Sequence, residues 1–266
     1  MGRWKGGAQC AVMLTFDVDA ETLWLAGDAT RLNQPGMLSQ GTYGARVAVP
    51  LILDLLERAG IRATFFVPGW TAETHADVIR AVHERGHEIG HHGYLHEQPT
   101  ALAPEEEAEV LVRGINALQA ISGEAPVGYR SPAWEFSAHT LDLLQRHGFR
   151  YSSNLMSDFV PWVHPGTDIV ELPVQWLLDD APFFLFGSGR TQRPIQPAAV
   201  AYQAWTEEFE GIYRHGGLFN LTMHPQLIGR PGRLLMLERL IEFIRGHEGV
   251  WFATGREVAE FWQREG

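Results

Sequence analysis

The sequence predicts an α/β fold, a single domain over residues 1 to 266 built as a closed or nearly closed (β/α) barrel. Three observations predict it: short β-branched and aromatic runs alternate with longer segments of helical period, about eight such runs fit the length, and no linker-like stretch divides the chain.

The first run, Ala11 to Phe16, reads A-V-M-L-T-F and is a strand. Residues 20 to 45 follow it, rich in Gly and turn formers, and read as an irregular lid over the barrel mouth. V-A-V-P-L-I-L-D-L-L-E-R-A-G then places apolar residues at i, i+3, i+4 spacing and closes on Gly60, a helix with its terminating glycine. Arg62 to Val67 is the second strand, and the helix carrying A-D-V-I-R-A-V-H-E-R stops at Gly86. His87 to Gly90 reads as a third, short strand. Pro104 and three acids open the helix P-E-E-E-A-E-V-L-V-R-G-I-N-A-L. Val127 to Arg130, Arg150 to Ser152 and Ile169 to Val174 are further strands, and residues 177 to 197 read as a second irregular lid. Trp24, Tyr43, Phe183, Phe184 and Phe186 give the two lids more aromatics than solvated loops carry, which suits an enclosed ligand. Leu218 to Met223 and Val250 to Phe252 complete the strands, and Thr254 with Glu257 forms a capping box opening a last helix.

The bulk composition narrows the function classes. A net charge of -11 with no dense Lys/Arg block excludes nucleic acid and anionic membrane as expected partners. The one cysteine, Cys10, lies in an apolar run and reads as a buried structural thiol. No apolar run of about 20 residues is present, and M-G-R-W-K-G-G-A-Q lacks a long apolar core, so the expected location is the cytoplasm.

Chemistry concentrates in H-E-I-G-H-H-G-Y-L-H, residues 87 to 96. Its first five residues match the H-E-x-x-H pattern of zinc proteases, but that pattern requires a helix, and Gly86 and Gly90 interrupt one. His92 and His96 follow the strand at its carboxyl end. If the chain turns helical there, their i, i+4 spacing puts both imidazoles on one face, able to grip one ion, while His83, His87 and His91 read as packing or surface residues. A third ligand is available in T-F-D-V-D-A-E, where Asp17 and Asp19 project to the same side of an extended segment. One can ligate while the other stays free as a base. Arg130 follows the strand V-G-Y closely enough to pair with Asp17.

Together these residues resemble the polysaccharide deacetylases, the NodB-homology family. T-F-D-V-D-A is similar to its first motif, G-H-E-I-G-H-H-G-Y-L-H to the second, G-Y-R-S-P-A-W to the third and L-T-M-H-P to the fifth, while G-F-R-Y-S-S-N falls where the fourth is expected. The resemblance implies a distorted (β/α) barrel with fewer than eight regular strands. It also implies Asp19, His92 and His96 as ligands of a divalent metal (zinc, with cobalt, manganese, iron or nickel as substitutes), Asp17 as general base and His224 as general acid, with Arg130 supporting the base.

A backbone N–H at Ala133 or Trp134 is the expected oxyanion donor. Asp179 or Asp180 takes the place of the missing fourth-motif aspartate beside His224, and Asp180 is grouped with Trp24, Tyr43, Ala133 and Trp134 as substrate-contacting. Val18 between the aspartates, Gly93, I-V-E-L-P-V-Q-W-L-L-D-D and H-P-Q-L-I-G-R-P-G-R look more like a branch that includes allantoinase-type and cyclic imide hydrolases. Glu171 and Trp176 in those stretches read equally as structural. The expected activity is hydrolysis of a non-peptide C–N bond, in an amino-sugar N-acetyl group or in a small cyclic amide, by a homo-oligomer. A non-catalytic binding protein of the same fold is the alternative from another class.

Overall fold

A computed structural model of the chain describes residues 2–26, 29–186 and 194–265. Nine strands lie in one sheet: β1 (Cys10–Asp17), β2 (Thr64–Val67), β3 (Glu88–His91), β4 (Gly128–Tyr129), β5 (Tyr151–Ser152), β6 (Trp162–Val163), β7 (Val170–Glu171), β8 (Leu218–Met223) and β9 (Val250–Phe252). Their order is β6-β7-β5-β4-β3-β2-β1-β8, with β9 paired to the amino half of β1, and every pair is parallel except β6 with β7. The sheet curls without closing. Between β7 and β8 the Asn220 side chain donates to the carbonyls of Leu172 and Pro173, and Asp180 N–H donates to Thr222 O. The nearly closed, distorted barrel agrees with expectation. The sequence reading missed β6, whose two residues are too few to show a period.

Alternation along the strands explains where the site forms. In β1, Cys10, Val12, Leu14 and Phe16 join the large apolar cluster between sheet and helices, while Ala11 and Met13 face the barrel interior. Thr15 and Asp17 continue that inner face and contact Arg130 there. Strand β8 repeats the scheme: Phe219, Leu221 and Met223 point outward, and Asn220 and then His224 turn to the interior groups. The inner face thus passes from apolar at the amino end to polar and titratable at the carboxyl end. Packing inside is tight, since a Cβ on Gly128 would stand 2.0 Å from the Tyr151 ring.

Helices form where the sequence signals place them. Val49–Ala59 ends on Gly60 at φ +59, Ala76–Glu84 ends before Gly86 at φ +78, and Pro104–Ser122 starts with Glu106 accepting the Ala103 N–H. Thr254 and Glu257 exchange the two capping-box hydrogen bonds ahead of Gly255–Glu265. The first lid departs from expectation. Pro35–Tyr43 is an α-helix that runs through a π-helical turn, Gly44–Ala48, straight into Val49–Ala59. Pro35 at its first turn fixes φ for a helix start, and the glycines that hid it are needed for contact: a Cβ on Gly41 would meet the Ala20 backbone at 2.4 Å.

In the second lid Phe184 is a core residue beside Trp205, Phe183 packs against the same core, and only Phe186 is exposed. Positions 27, 28 and 187–193 of the two lids lie outside the described residues. Cys10 is buried and its thiol is pushed up to about 12 by desolvation, as a structural cysteine should be. Among the described residues no helix is long and apolar enough to cross a membrane.

Candidate active site

The H-E-I-G-H stretch is strand, not helix. Glu88 points into the barrel, where it accepts hydrogen bonds from Thr64, Tyr151 and the backbone of Arg256. It faces no candidate ligand, so the protease geometry is excluded. His87 accepts the Ala63 N–H at 3.1 Å, and burial lowers its pKa to about 4. His91 bonds the Leu111 carbonyl and receives the Gly93 N–H, and burial lowers it to about 3. Both are neutral packing residues.

His92 and His96 converge, with ring centroids 5.2 Å apart, although the chain between them is not helical. This corrects the expected i, i+4 turn. Gly93 at φ +75 and His96 at φ +61 bend the segment, and Glu97 Oε2 accepts the N–H groups of Tyr94 and Leu95 to hold the bend. Asp19 completes the group, its Oδ1 standing 3.4 Å from His92 Nε2 and 3.7 Å from His96 Nε2. The three ligand-type atoms lie within 4.8 Å of one another.

The arrangement fits a cation. Two ligands about 2.0–2.1 Å from a tetrahedral ion stand roughly 3.3–3.5 Å apart, close to the spacing seen. Asp19 Oδ1 is buried with no hydrogen-bond partner among the described residues, an acceptor left for something other than protein. His92 Nδ1 stands 2.7 Å from the Arg130 carbonyl, which places its proton there and leaves the Nε2 lone pair toward Asp19. Thr22 and Thr71 hydroxyls donate to the Asp19 carbonyl. Burial pushes His96 down to about 4. For Asp19, burial acts upward but the charge of His96, with His92 and His224, outweighs it and holds the carboxyl well below the usual range. For His92, Asp17 and Asp19 outweigh burial and raise it.

Asp17 sits beside this group, with Oδ2 3.9 Å from His92 Nε2 and Oδ1 accepting from Arg130 Nη1 at 2.8 Å. Arg130 is fully buried and its donors are all directed: Nε to Ser153 O, Nη1 to Thr15 Oγ1 and Asp17, Nη2 to Ser153 Oγ and Asn220 Oδ1, with Phe66 stacked beneath. His224 faces the same centre from β8, its Nε2 3.8 Å from Asp19 Oδ2. Asp180 Oδ1 holds His224 Nδ1 at 2.6 Å and Asp180 also accepts the His224 backbone N–H.

Asp180, which the sequence reading grouped with the substrate contacts, is fully buried and holds His224 through both its ring and its backbone. Burial acts against the His224 cation, but Asp180 outweighs it and raises that pKa well above the usual value. Burial raises Asp180 and takes Asp179, whose Oδ1 accepts the Ala181 N–H, up to about 7. Asp179, Asp180 and His224 are a second ligand-type grouping. Its 2.6 Å contact is hydrogen-bond length, so a proton and not a cation lies between those atoms.

The remaining predicted residues line or support the mouth. Ala133 and Trp134 both have positive φ, 57° and 60°, and the Trp134 N–H donates to Ser131 O, so that amide is occupied. Trp134 is buried under Trp176, with ring centroids 4.5 Å apart and Trp176 half exposed. Tyr43 donates its hydroxyl to Gly229 O and carries Arg230 on its ring, and Trp24 is half-buried. Sequence reasoning missed Gln226, whose amide points to Asp19 Oδ2, and the pair His75 and Glu21, 2.8 Å apart beside Thr42. H-P-Q carried the only signal for the first; a lone acid and histidine far apart in the chain carried none for the second.

The fold and the site define a hydrolase of non-peptide C–N bonds built on a curled (β/α) barrel. Residues 7–152 match the family model described as polysaccharide deacetylase, and the chain belongs to that family, whose enzymes depend on a metal. It is 35% identical over 274 residues to the peptidoglycan deacetylase of Helicobacter pylori, covering 92% of this chain and 93% of that one. A Mycobacterium smegmatis crystal structure assigned as a polysaccharide deacetylase superposes with TM-score 0.92 at 41% identity, over 97% of this chain and 91% of the other. A crystal structure of an allantoinase superposes with TM-score 0.87 at 25% identity, over 99% and 94%.

Proposed function

We propose that the chain removes the N-acetyl group of an amino sugar in a glycan, with Asp19, His92 and His96 holding the metal, Asp17 as base and His224 as acid. The observation that supports this reading is that Asp17 Oδ2, 3.9 Å from His92 Nε2, and His224 Nε2, 3.8 Å from Asp19 Oδ2, both stand beside the Asp19, His92 and His96 group. Asp19, His92 and His96 would hold a divalent cation, zinc or in its place cobalt, manganese, iron or nickel, which would supply Lewis acidity to the water and the acyl group.

The chain's own groups do the rest. Arg130 occupies Asp17 Oδ1 and leaves Oδ2 to take the proton of the attacking water. Ala133 N–H is the remaining backbone donor of the turn for the developing oxyanion, since that of Trp134 is occupied. His224, cationic and fixed by Asp180, passes its Nε2 proton to the departing nitrogen as the C–N bond breaks, giving acetate and a free amine. The Trp134 and Trp176 indoles offer an apolar platform for one face of a sugar ring, and Trp24 and Tyr43 are proposed as further substrate contacts.

Likeness to an allantoinase favours a second substrate, a cyclic imide, hydantoin or ureide, which the same base, acid and metal would open by the same bond cleavage. The purified, metal-loaded protein offered N-acetylglucosamine oligomers alongside hydantoins, imides and allantoin separates them. Acetate release from the oligomers is the expected result; turnover of cyclic amides alone overturns the sugar reading.

A further inference from the structure

The segment after β5 carries the two groups that hold Arg130, yet it is not part of any strand. Ser153 N–H donates to Tyr129 O at 3.0 Å, and beyond it the anchor is Glu171, fully buried at the end of β7. Glu171 Oε1 accepts the backbone N–H groups of Asn154 at 2.5 Å and Leu155 at 2.8 Å, and Oε2 lies 2.7 Å from His164 Nε2. From the segment so fixed, Ser153 meets Arg130 twice, through its carbonyl at 3.3 Å and its hydroxyl at 2.9 Å. Asn154 Oδ1 accepts the Ser131 N–H at 2.7 Å, at the base of the turn bearing Ala133.

We infer that Glu171 is a positioning residue for the reaction: by holding the backbone of residues 154 and 155, next to Ser153, it helps set Arg130 against Asp17, and through Asn154 it sets the turn that carries the oxyanion donor. A carboxyl group accepting two backbone amides in a buried setting is a directional acceptor. Nothing else among the described hydrogen bonds takes those two N–H groups. The inference rests on the reading of Asp17 as base.

The test uses the metal-loaded full chain and acetylated glucosamine oligomers, or hydantoin where the wild type prefers it. Glu171→Ala should lower kcat by about 10- to 100-fold, with KM within about twofold and metal content unchanged. Glu171→Gln, whose amide oxygen can take the two N–H groups, should recover activity to within about threefold. In an Arg130→Lys background the Glu171→Ala effect should shrink to about threefold or less, because both changes act through one guanidinium.

A Glu171→Ala enzyme within about threefold of wild type per folded, metal-loaded chain, or effects of the two changes that multiply independently, overturns the inference. If Glu171→Ala does not fold, Glu171→Asp, which keeps the charge but withdraws it by one methylene, is read in the same cycle. A fully active Asp17→Asn enzyme overturns the base reading itself, whereas inactive Asp17→Asn with an undisturbed Glu171→Ala overturns only the role given to Glu171.

Discussion

Asp17 and Asp19 are two residues apart in sequence and chemically identical, and their surroundings differ. Asp19 is fully buried against three imidazoles and has one oxygen without a protein partner; Asp17 has one oxygen gripped by Arg130 and the other free. Asp17→Asn should therefore reduce turnover by about 100-fold or more while metal content stays at the wild-type level, read by kcat and elemental analysis side by side. Asp180→Asn should lower kcat by about 10- to 100-fold with little change in KM, because it removes the charge that keeps His224 protonated and oriented. A wild-type kcat in Asp180→Asn would remove His224 from the acid role.

The aspartates, His92, His96 and Arg130 could be singled out from type and spacing, and His224 only through the family resemblance. Gln226, Ser153 and Asn220 could not. Amides and hydroxyls acquire a role only from the groups folding puts beside them, and the sequence held no mark of those neighbours.

At the scale of elements, strand β3 shows how one short segment serves stability and the site together. The inward side chains here, Glu88 in the strand and His92 just past its end, run from a buried structural carboxylate to a candidate ligand, and His87 sits just before the strand as a neutral acceptor. The folded pKa of His87, about 4, lies below its ordinary 6.5. Its contribution is therefore complete above about pH 6.5 and is lost as pH falls through the window toward 4, because the unfolded chain takes up the proton first. The loss amounts to about 2 kcal/mol after allowance for partial solvent screening. Denaturant unfolding at pH 7 and pH 5 checks this: His87→Asn should flatten the difference, and an unchanged slope would contradict it.

Glu88→Gln should leave kcat within about threefold of wild type, in contrast to the protease alternative, which needs that carboxylate as its base. Strand positions and helix ends were readable here because period and glycine punctuation are local. The helical hairpin of the first lid, the bend from His92 to His96 and strand β6 were not, because Gly-rich composition, positive-φ residues and a two-residue strand leave no periodic trace.

For the whole molecule, the metal group joins β1 to the loop after β3, so a cation there cross-links segments more than 70 residues apart. Binding that favours the folded state raises stability in proportion to RT ln(1 + [L]/Kd). Stripping the protein with a chelator should lower Tm by several degrees, on the order of 2–4 °C per kcal/mol for a chain of this size, and readdition of zinc should restore it. The seam between β7 and β8, bridged by Asn220 and by the stretch leading to Asp180, brings His224 and Arg130 into one polar interior. That closure is long-range and was implied in the sequence only through family resemblance.

Metal stoichiometry in the purified protein and its variants tests most directly whether Asp19, His92 and His96 form a metal centre. Elemental analysis should find one divalent ion per chain in the wild type and in Asp17→Asn, and a small fraction of that in Asp19→Ala, His92→Ala and His96→Ala, each checked to be folded by circular dichroism. Full metal content in those three folded variants would contradict that assignment.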